Sequence, residues 1–203
     1  MKGATAEDER TGSSAPSTSR SVARERILDT ATRLFVAIGI RSVGVDRLIA
    51  ESGVARATFF RHFPTKDDLV VAFLERQASL AREELSSIRR QVPGGARALL
   101  GEIADGSKAG MECQGFRGCE FINTAAEYSD PEHPARAVVD RHRAWVRDIM
   151  ADSLAELGHP APFATAEVLF TMRTGAIVAS SLEGFSDPDG VFDRAWWGLV
   201  DQR

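Results

Sequence analysis

Between Val45 and Pro64 two short apolar-patterned segments meet at a single glycine, and few folds accommodate that arrangement. Val45, Leu48 and Ile49 share one face of a helix that runs to Ser52. Gly53, a residue type that tolerates a sharp turn, follows at once. A further helix then runs from about Ala55 to His62, burying Val54, Phe59 and Phe63, and Pro64 closes it. Upstream, Ile27, Ala31, Leu34, Phe35 and Ile38 recur at offsets of 4, 7, 8 and 11, with Ser21 as a cap and Gly39 as a stop. The spacing therefore predicts three helices, the last two joined at a tight turn, which is a helix-turn-helix head over residues 21–66.

In such a head the last helix enters the DNA major groove. Its predicted outer face carries Arg56, Ala57, Thr58, Arg61 and His62. Arg56 is placed to bond two acceptors on a guanine edge, and the methyl groups of Ala57 or Thr58 to pack on thymine. Thr58, His62 and Lys66 suit phosphate contacts, which set register without reading sequence. The free amides beside Gly44, at the start of the second helix, add an anion site. The charge distribution agrees. The whole chain has a net charge of -4, unusual for a nucleic-acid binder, but residues 20–66 hold nine Lys or Arg against four Asp or Glu, while 67–203 hold fourteen against twenty-two.

Residues 1–20 contain seven Ser or Thr and few apolar side chains, so they read as a flexible arm. After the head, Thr65-Lys66-Asp67-Asp68 resembles a capping box and opens a long helix, with Leu69, Phe73, Leu80, Leu85 and Ile88 continuing at helical spacing, that ends near Gln91 before Val92-Pro93-Gly94-Gly95. Helices follow at about 95–108, 118–128, 133–158, 162–184 and 189–202, with no convincing strand and no internal repeat. The expected fold is all-α, about nine helices, with a body over residues 67–203. No apolar run reaches the roughly 20 residues of a membrane span, and no export signal is present, so a cytoplasmic protein is expected.

The stretch Val45-Asp46-Arg47-Leu48-Ile49-Ala50-Glu51-Ser52-Gly53-Val54-Ala55-Arg56-Ala57-Thr58-Phe59-Phe60-Arg61-His62-Phe63-Pro64-Thr65-Lys66-Asp67-Asp68-Leu69 closely resembles the N-terminal signature of the TetR/AcrR family of bacterial transcriptional regulators. The resemblance covers about fifty residues from Arg24; the remainder matches only in length and helical pattern. It implies a homodimer on a palindromic operator, usually a repressor released by a small-molecule effector. Arg56, Ala57 and Thr58 fall where the family reads bases or approaches the backbone, and His62 and Lys66 where it holds phosphates. Three positions depart from the pattern. Phe60 stands in place of a common phosphate-binding Tyr, Ala55 in place of a Ser cap, and Gly44 in place of a frequent Thr or Ser. Phosphate anchoring is then expected to lean on Arg61, His62 and Lys66.

The resemblance also implies a cavity in the body, for which Phe73, Met111, Phe116, Phe121, Asn123, Trp145, Ile149, Phe170 and Arg173 are candidate lining residues, apolar with a few polar groups. For the dimer interface, the small residues Ala164, Ala166, Gly175, Ala176, Ala179 and Ser180 permit close helix packing, and Phe192, Ala195, Trp196, Leu199 and Val200 of the last helix complete a four-helix bundle across the two-fold axis. Cys113 and Cys119 frame Gly115-Phe116-Arg117-Gly118; a thiol sensor, with Arg117 favouring the thiolate, is an alternative to structural cysteines. No metal site, cofactor or enzyme motif is expected: the cysteine spacing is not Cys-x-x-Cys, His133, His142 and His159 form no ligand set, and Asp187-Pro188-Asp189-Gly190 reads as a turn and cap rather than a calcium loop. An enzyme or small-molecule carrier with a merely structural head is the rival class.

Overall fold

The structure is a computed structural model that describes residues 15–112, 116–183 and 190–202. Among them the chain forms nine helices and no strand: α1 (Ala15–Ile38), α2 (Val45–Ser52), α3 (Arg56–His62), α4 (Lys66–Gln91), α5 (Gly95–Glu112), α6 (Glu120–Glu127), α7 (Pro134–Glu156), α8 (Pro162–Glu183) and α9 (Val191–Val200). The all-α expectation holds, and α2, α3 and α4 begin and end within a residue of the positions their spacing predicts. One boundary differs. Helix α1 starts at Ala15, inside the expected arm, so Ser21 lies within the helix instead of capping it. Pro16 sits in the first turn, where its missing N–H costs no hydrogen bond.

Local chemistry explains the other ends. Gly53 terminates α2 in the left-handed conformation at φ 63°, its N–H donating to the Ile49 carbonyl. Thr65 opens α4 with a reciprocal capping box: its hydroxyl accepts from the Asp68 amide while the Asp68 carboxylate accepts from the Thr65 amide.

Two apolar clusters hold the chain together. The first packs Ile27, Ala31, Leu34 and Phe35 of α1 with Leu48, Phe59 and Phe63, and continues into Leu69, Phe73, Phe121 and Val138. The second packs α5, α7, α8 and α9 around Leu100, Met150, Leu154, Leu169 and Trp196. Helix α4 touches both, because it has two working faces. Phe73 meets Phe35 edge to face at 5.5 Å, and on the same side Arg76 donates to Asp29 at 2.6 Å and to the Leu28 carbonyl of α1. Leu85 packs on the second cluster from another face. Leu80, expected to be inward, lies on the α1-facing side one turn beyond Arg76 and is exposed. Among the described residues no helix is long and apolar enough to cross a membrane.

Candidate nucleic-acid interface

Helix α3 buries Phe59 and closes on the buried Phe63. At about 100° per residue, the side opposite these two rings carries Ala57 and Arg61. Both are exposed; Arg56 and Phe60 flank them on one side, and the half-buried Thr58 and His62 on the other. The outward pole is thus Ala57 and Arg61, where sequence reasoning favoured Arg56.

Arg56 is instead committed locally. Its guanidinium donates to the Asp46 carboxylate of α2 at 2.5 Å and lies 5.3 Å from the centre of the Phe60 ring. The ion pair ties the start of the recognition helix to α2, a bracing Ala55 cannot supply, since this N-cap offers no side-chain hydrogen bond. Phe60, which lacks the hydroxyl of a tyrosine, serves as the platform for Arg56. Gly44 N-caps α2 in an extended conformation with no side-chain cap, as its sequence implied. Helix α2 is held to α1 by Glu51, which accepts from Arg33 at 2.6 Å and from Arg47 at 2.7 Å; these hydrogen bonds lower its carboxyl pKa.

Lys66 does not project like the others. Its ammonium donates to the Ile40 carbonyl at 2.7 Å, bridging the start of α4 to the α1–α2 loop, and burial lowers its pKa. The same loop is clasped from the body, a feature sequence reasoning missed. Glu127, at the end of α6, accepts from the amides of Arg41 at 2.7 Å and Ile40 at 3.3 Å, and its carbonyl accepts from the Arg41 guanidinium. Beside it Tyr128 donates to Asp67 of α4 at 2.8 Å, and His133 lies 3.4 Å from the same carboxylate. These partners are more than sixty residues apart in sequence, so no local pattern could reveal them.

Two cavities divide the expected lining residues. One, of about 510 Å³, lies where α1 meets α6 and takes Phe73, Phe116 and Asn123 together with Arg117 and Glu127. The other, of about 360 Å³, lies between α4, α5, α7 and α8 and takes Trp145 and Arg173 together with Leu85, Ile103 and His142. Phe121 lines neither: it is buried and stacked on His142 at 3.8 Å. Ile149 and Phe170 pack into the second core cluster. Met111 and Cys113 lie outside the residues whose side chains are described, as do residues 187–189.

The expected interface residues separate in the same way. Ala176, Phe192 and Trp196 are buried within the chain, as are Ala166, Ser180 and Val200, so they support the α8–α9 face from beneath. Ala164, Gly175 and Ala195 are exposed, and Ala179 and Leu199 are half-buried. The apolar side chains that do face outward are Phe163, Val168 and Leu182 of α8 and Val191 of α9, none of them anticipated, because α8 is apolar on nearly all sides and its free side cannot be told from its buried one by spacing.

Cys119 does not have the surroundings of a sensing thiol. Burial, then the neighbouring Glu120 carboxylate, pushes its pKa up, whereas a reactive cysteine needs it down. Arg117, expected to favour the thiolate, donates to the Ala37 carbonyl at 3.3 Å. Among the described residues no cluster of His, Cys, Asp and Glu could hold a metal ion.

A three-helix head with an outward Arg61, set on a helical body through α4, is the architecture of a helix-turn-helix DNA-binding regulator. Comparison with known proteins agrees. Residues 27–73 match the model of the bacterial regulatory proteins of the tetR family. The crystal structure of SCO4454, a TetR-family transcriptional regulator from Streptomyces coelicolor, is 40% identical and superposes with a TM-score of 0.77, covering 89% of this chain and 95% of that one. The HTH-type transcriptional repressor NemR of Escherichia coli is 22% identical over 174 residues, 81% of this chain and 87% of its own length. An uncharacterized HTH-type regulator of Mycobacterium tuberculosis, Rv1255c, is 34% identical over 80 residues, 39% of this chain and 40% of its own. The chain belongs to the TetR family and is a DNA-binding transcriptional regulator.

Proposed function

We propose that this protein is a cytoplasmic homodimeric repressor, released from a palindromic operator by a small molecule that enters the cavity between α4, α5, α7 and α8. The observation that carries the reading is the continuity of α4. Its first turns bury Leu69, Val70 and Phe73 in the head's core, and Ala81, Glu84 and Leu85 further along the same helix wall the cavity. A ligand that displaces the upper part of α4 therefore displaces the head, and two heads must keep recognition helices about 34–36 Å apart to match both half-sites. Driving the population from almost fully bound-competent to almost fully released requires the effector to prefer the released state by about 5.5 kcal/mol.

In this reading Arg61 and Ala57 meet base edges, Arg56 either reads an adjacent base after leaving Asp46 or holds α2 and α3 together, and Thr58, His62 and the amides beside Gly44 take phosphates. Lys66 keeps the α1–α2 loop in place and is not itself a strong phosphate ligand. The dimer forms on the outer face of α8, through Phe163, Ala164, Val168, Gly175 and Leu182, with Val191 and Ala195 of α9 alongside.

The test is a binding assay on DNA flanking the protein's own gene, followed by selection from a random pool. A selected palindrome bound by wild type and lost with Arg61→Ala supports the reading. No binding to either DNA sinks it.

A further inference from the structure

Arginines from α4, α7 and α8 surround His142 at the wall of the 360 Å³ cavity. Arg173 of α8 lines the cavity itself. Arg82 of α4 lies over the Trp145 ring at 5.4 Å, and Arg143 of α7 over the Phe170 ring at 4.6 Å. Among the described residues none of these three guanidinium groups has a hydrogen bond or an ion pair, although each is half-buried. Elsewhere the chain pairs half-buried arginines: Arg76 with Asp29, Arg136 with Asp140 and Arg147 with Glu167. A ring face accepts a guanidinium from above but leaves its in-plane N–H donors open.

His142 lines the same cavity without adding a charge. It is 94% buried, and its Nδ1 has no hydrogen-bond partner among the described residues. Burial, then Arg173, Arg82 and Arg143, lowers its pKa to about 4, so at neutral pH the ring is uncharged. Partly buried cations that form no ion pair are costly, and an anion in the cavity beside Arg173 offsets part of that cost. Leu85, Ile103, Trp145 and Val146 give the wall its apolar part. The exposed Glu84 and Glu102 also contribute to it, which disfavours a multiply charged phosphate and leaves room for a single negative charge on an apolar body.

We propose that the cavity binds a small amphipathic carboxylate, its acid group held by Arg173 and its apolar body lying against Trp145, Leu85 and Ile103. The proposal rests on the same cavity being the effector site, and it names the chemical class of the effector.

The probes are 2-naphthoate and the neutral 2-naphthamide, titrated calorimetrically into the full-length protein, with DNA release followed by fluorescence anisotropy in parallel. The expected result is that naphthoate binds at least ~10-fold tighter than naphthamide. Arg173→Gln should remove that advantage while leaving naphthamide affinity unchanged, and Arg173→Lys should restore part of it. Equal affinity for both probes, no naphthoate binding, or an undiminished preference in Arg173→Gln overturns the proposal. If Arg173→Gln does not fold, the comparison of the two probes on wild type and on Arg82→Met decides. Naphthoate binding that depends on Arg173 but releases no DNA keeps the carboxylate site and removes the effector reading. Equal binding and equal release by both probes does the reverse.

Discussion

Acidification should unfold this protein earlier than a variant that lacks one imidazole. His142 is stacked on Phe121 at 3.8 Å and surrounded by arginines, and its pKa falls from 6.5 to about 4. The folded state therefore refuses a proton that the unfolded chain accepts. The stability associated with neutral His142 is complete above pH 6.5 and is lost as pH falls towards 4, because over that window only the unfolded state gains the proton. At 1.36 kcal/mol per pH unit, the loss between pH 7 and pH 4.5 comes to about 2–3 kcal/mol. In His142→Phe the ring still lies flat on Phe121, nothing titrates, and the unpartnered Nδ1 is gone. Urea unfolding of both proteins at pH 7, 6, 5 and 4.5, at one protein concentration because a dimer's stability depends on it, reads the difference directly. The two proteins should diverge progressively below pH 6.5, wild type falling faster. Parallel pH dependences would refute the argument that His142 is held neutral by its surroundings.

Replacing Arg61 by Ala should weaken operator binding by about 1–3 kcal/mol in an anisotropy titration and change the selected sequence, whereas Lys66→Gln should lower stability with a smaller effect on affinity, since Lys66 is spent on the Ile40 carbonyl. An equal loss of affinity in both would show that Lys66 leaves that carbonyl to bind phosphate. Gly53→Ala meets a left-handed backbone at φ 63° and the Arg26 guanidinium 2.8 Å from the added methyl; Arg26 can swing away, so thermal denaturation should report about 1–2 kcal/mol of backbone strain, with Gly53→Asn milder. Glu127→Ala strips the acceptor from the amides of Ile40 and Arg41, and amide exchange at those two positions should quicken at least ~10-fold, the signature of about 1.4 kcal/mol of lost local protection. Val168→Glu places a charge on the outward face of α8 without touching the core, and sedimentation should show the dimer dissociating while the monomer's helix content is retained.

Helix positions were largely legible in the chain because their determinants lie within four residues of one another. The apolar spacing of Leu48 and Phe59, the turn at Gly53 and the Thr65–Asp68 capping box are local, and all three stand in the structure as their order along the chain predicts. The family resemblance was legible for the same reason, since it is carried by that contiguous segment.

What the tertiary structure decided is which side chain meets which partner. Arg56 and Arg61 are similar on paper; only the position of Asp46 turns one into a brace and leaves the other facing out. Trp196 looks like an interface residue until the second core cluster buries it completely. Phe73 and Arg173 were expected around one cavity, and the packing of α6 and α8 assigns them to two. Periodicity marks a residue as apolar-facing but does not say what it faces, because that depends on helices far away in sequence. The head that the chain announces by itself between Val45 and Pro64 is therefore positioned by Glu127 and Tyr128, and nothing within the head predicts either contact.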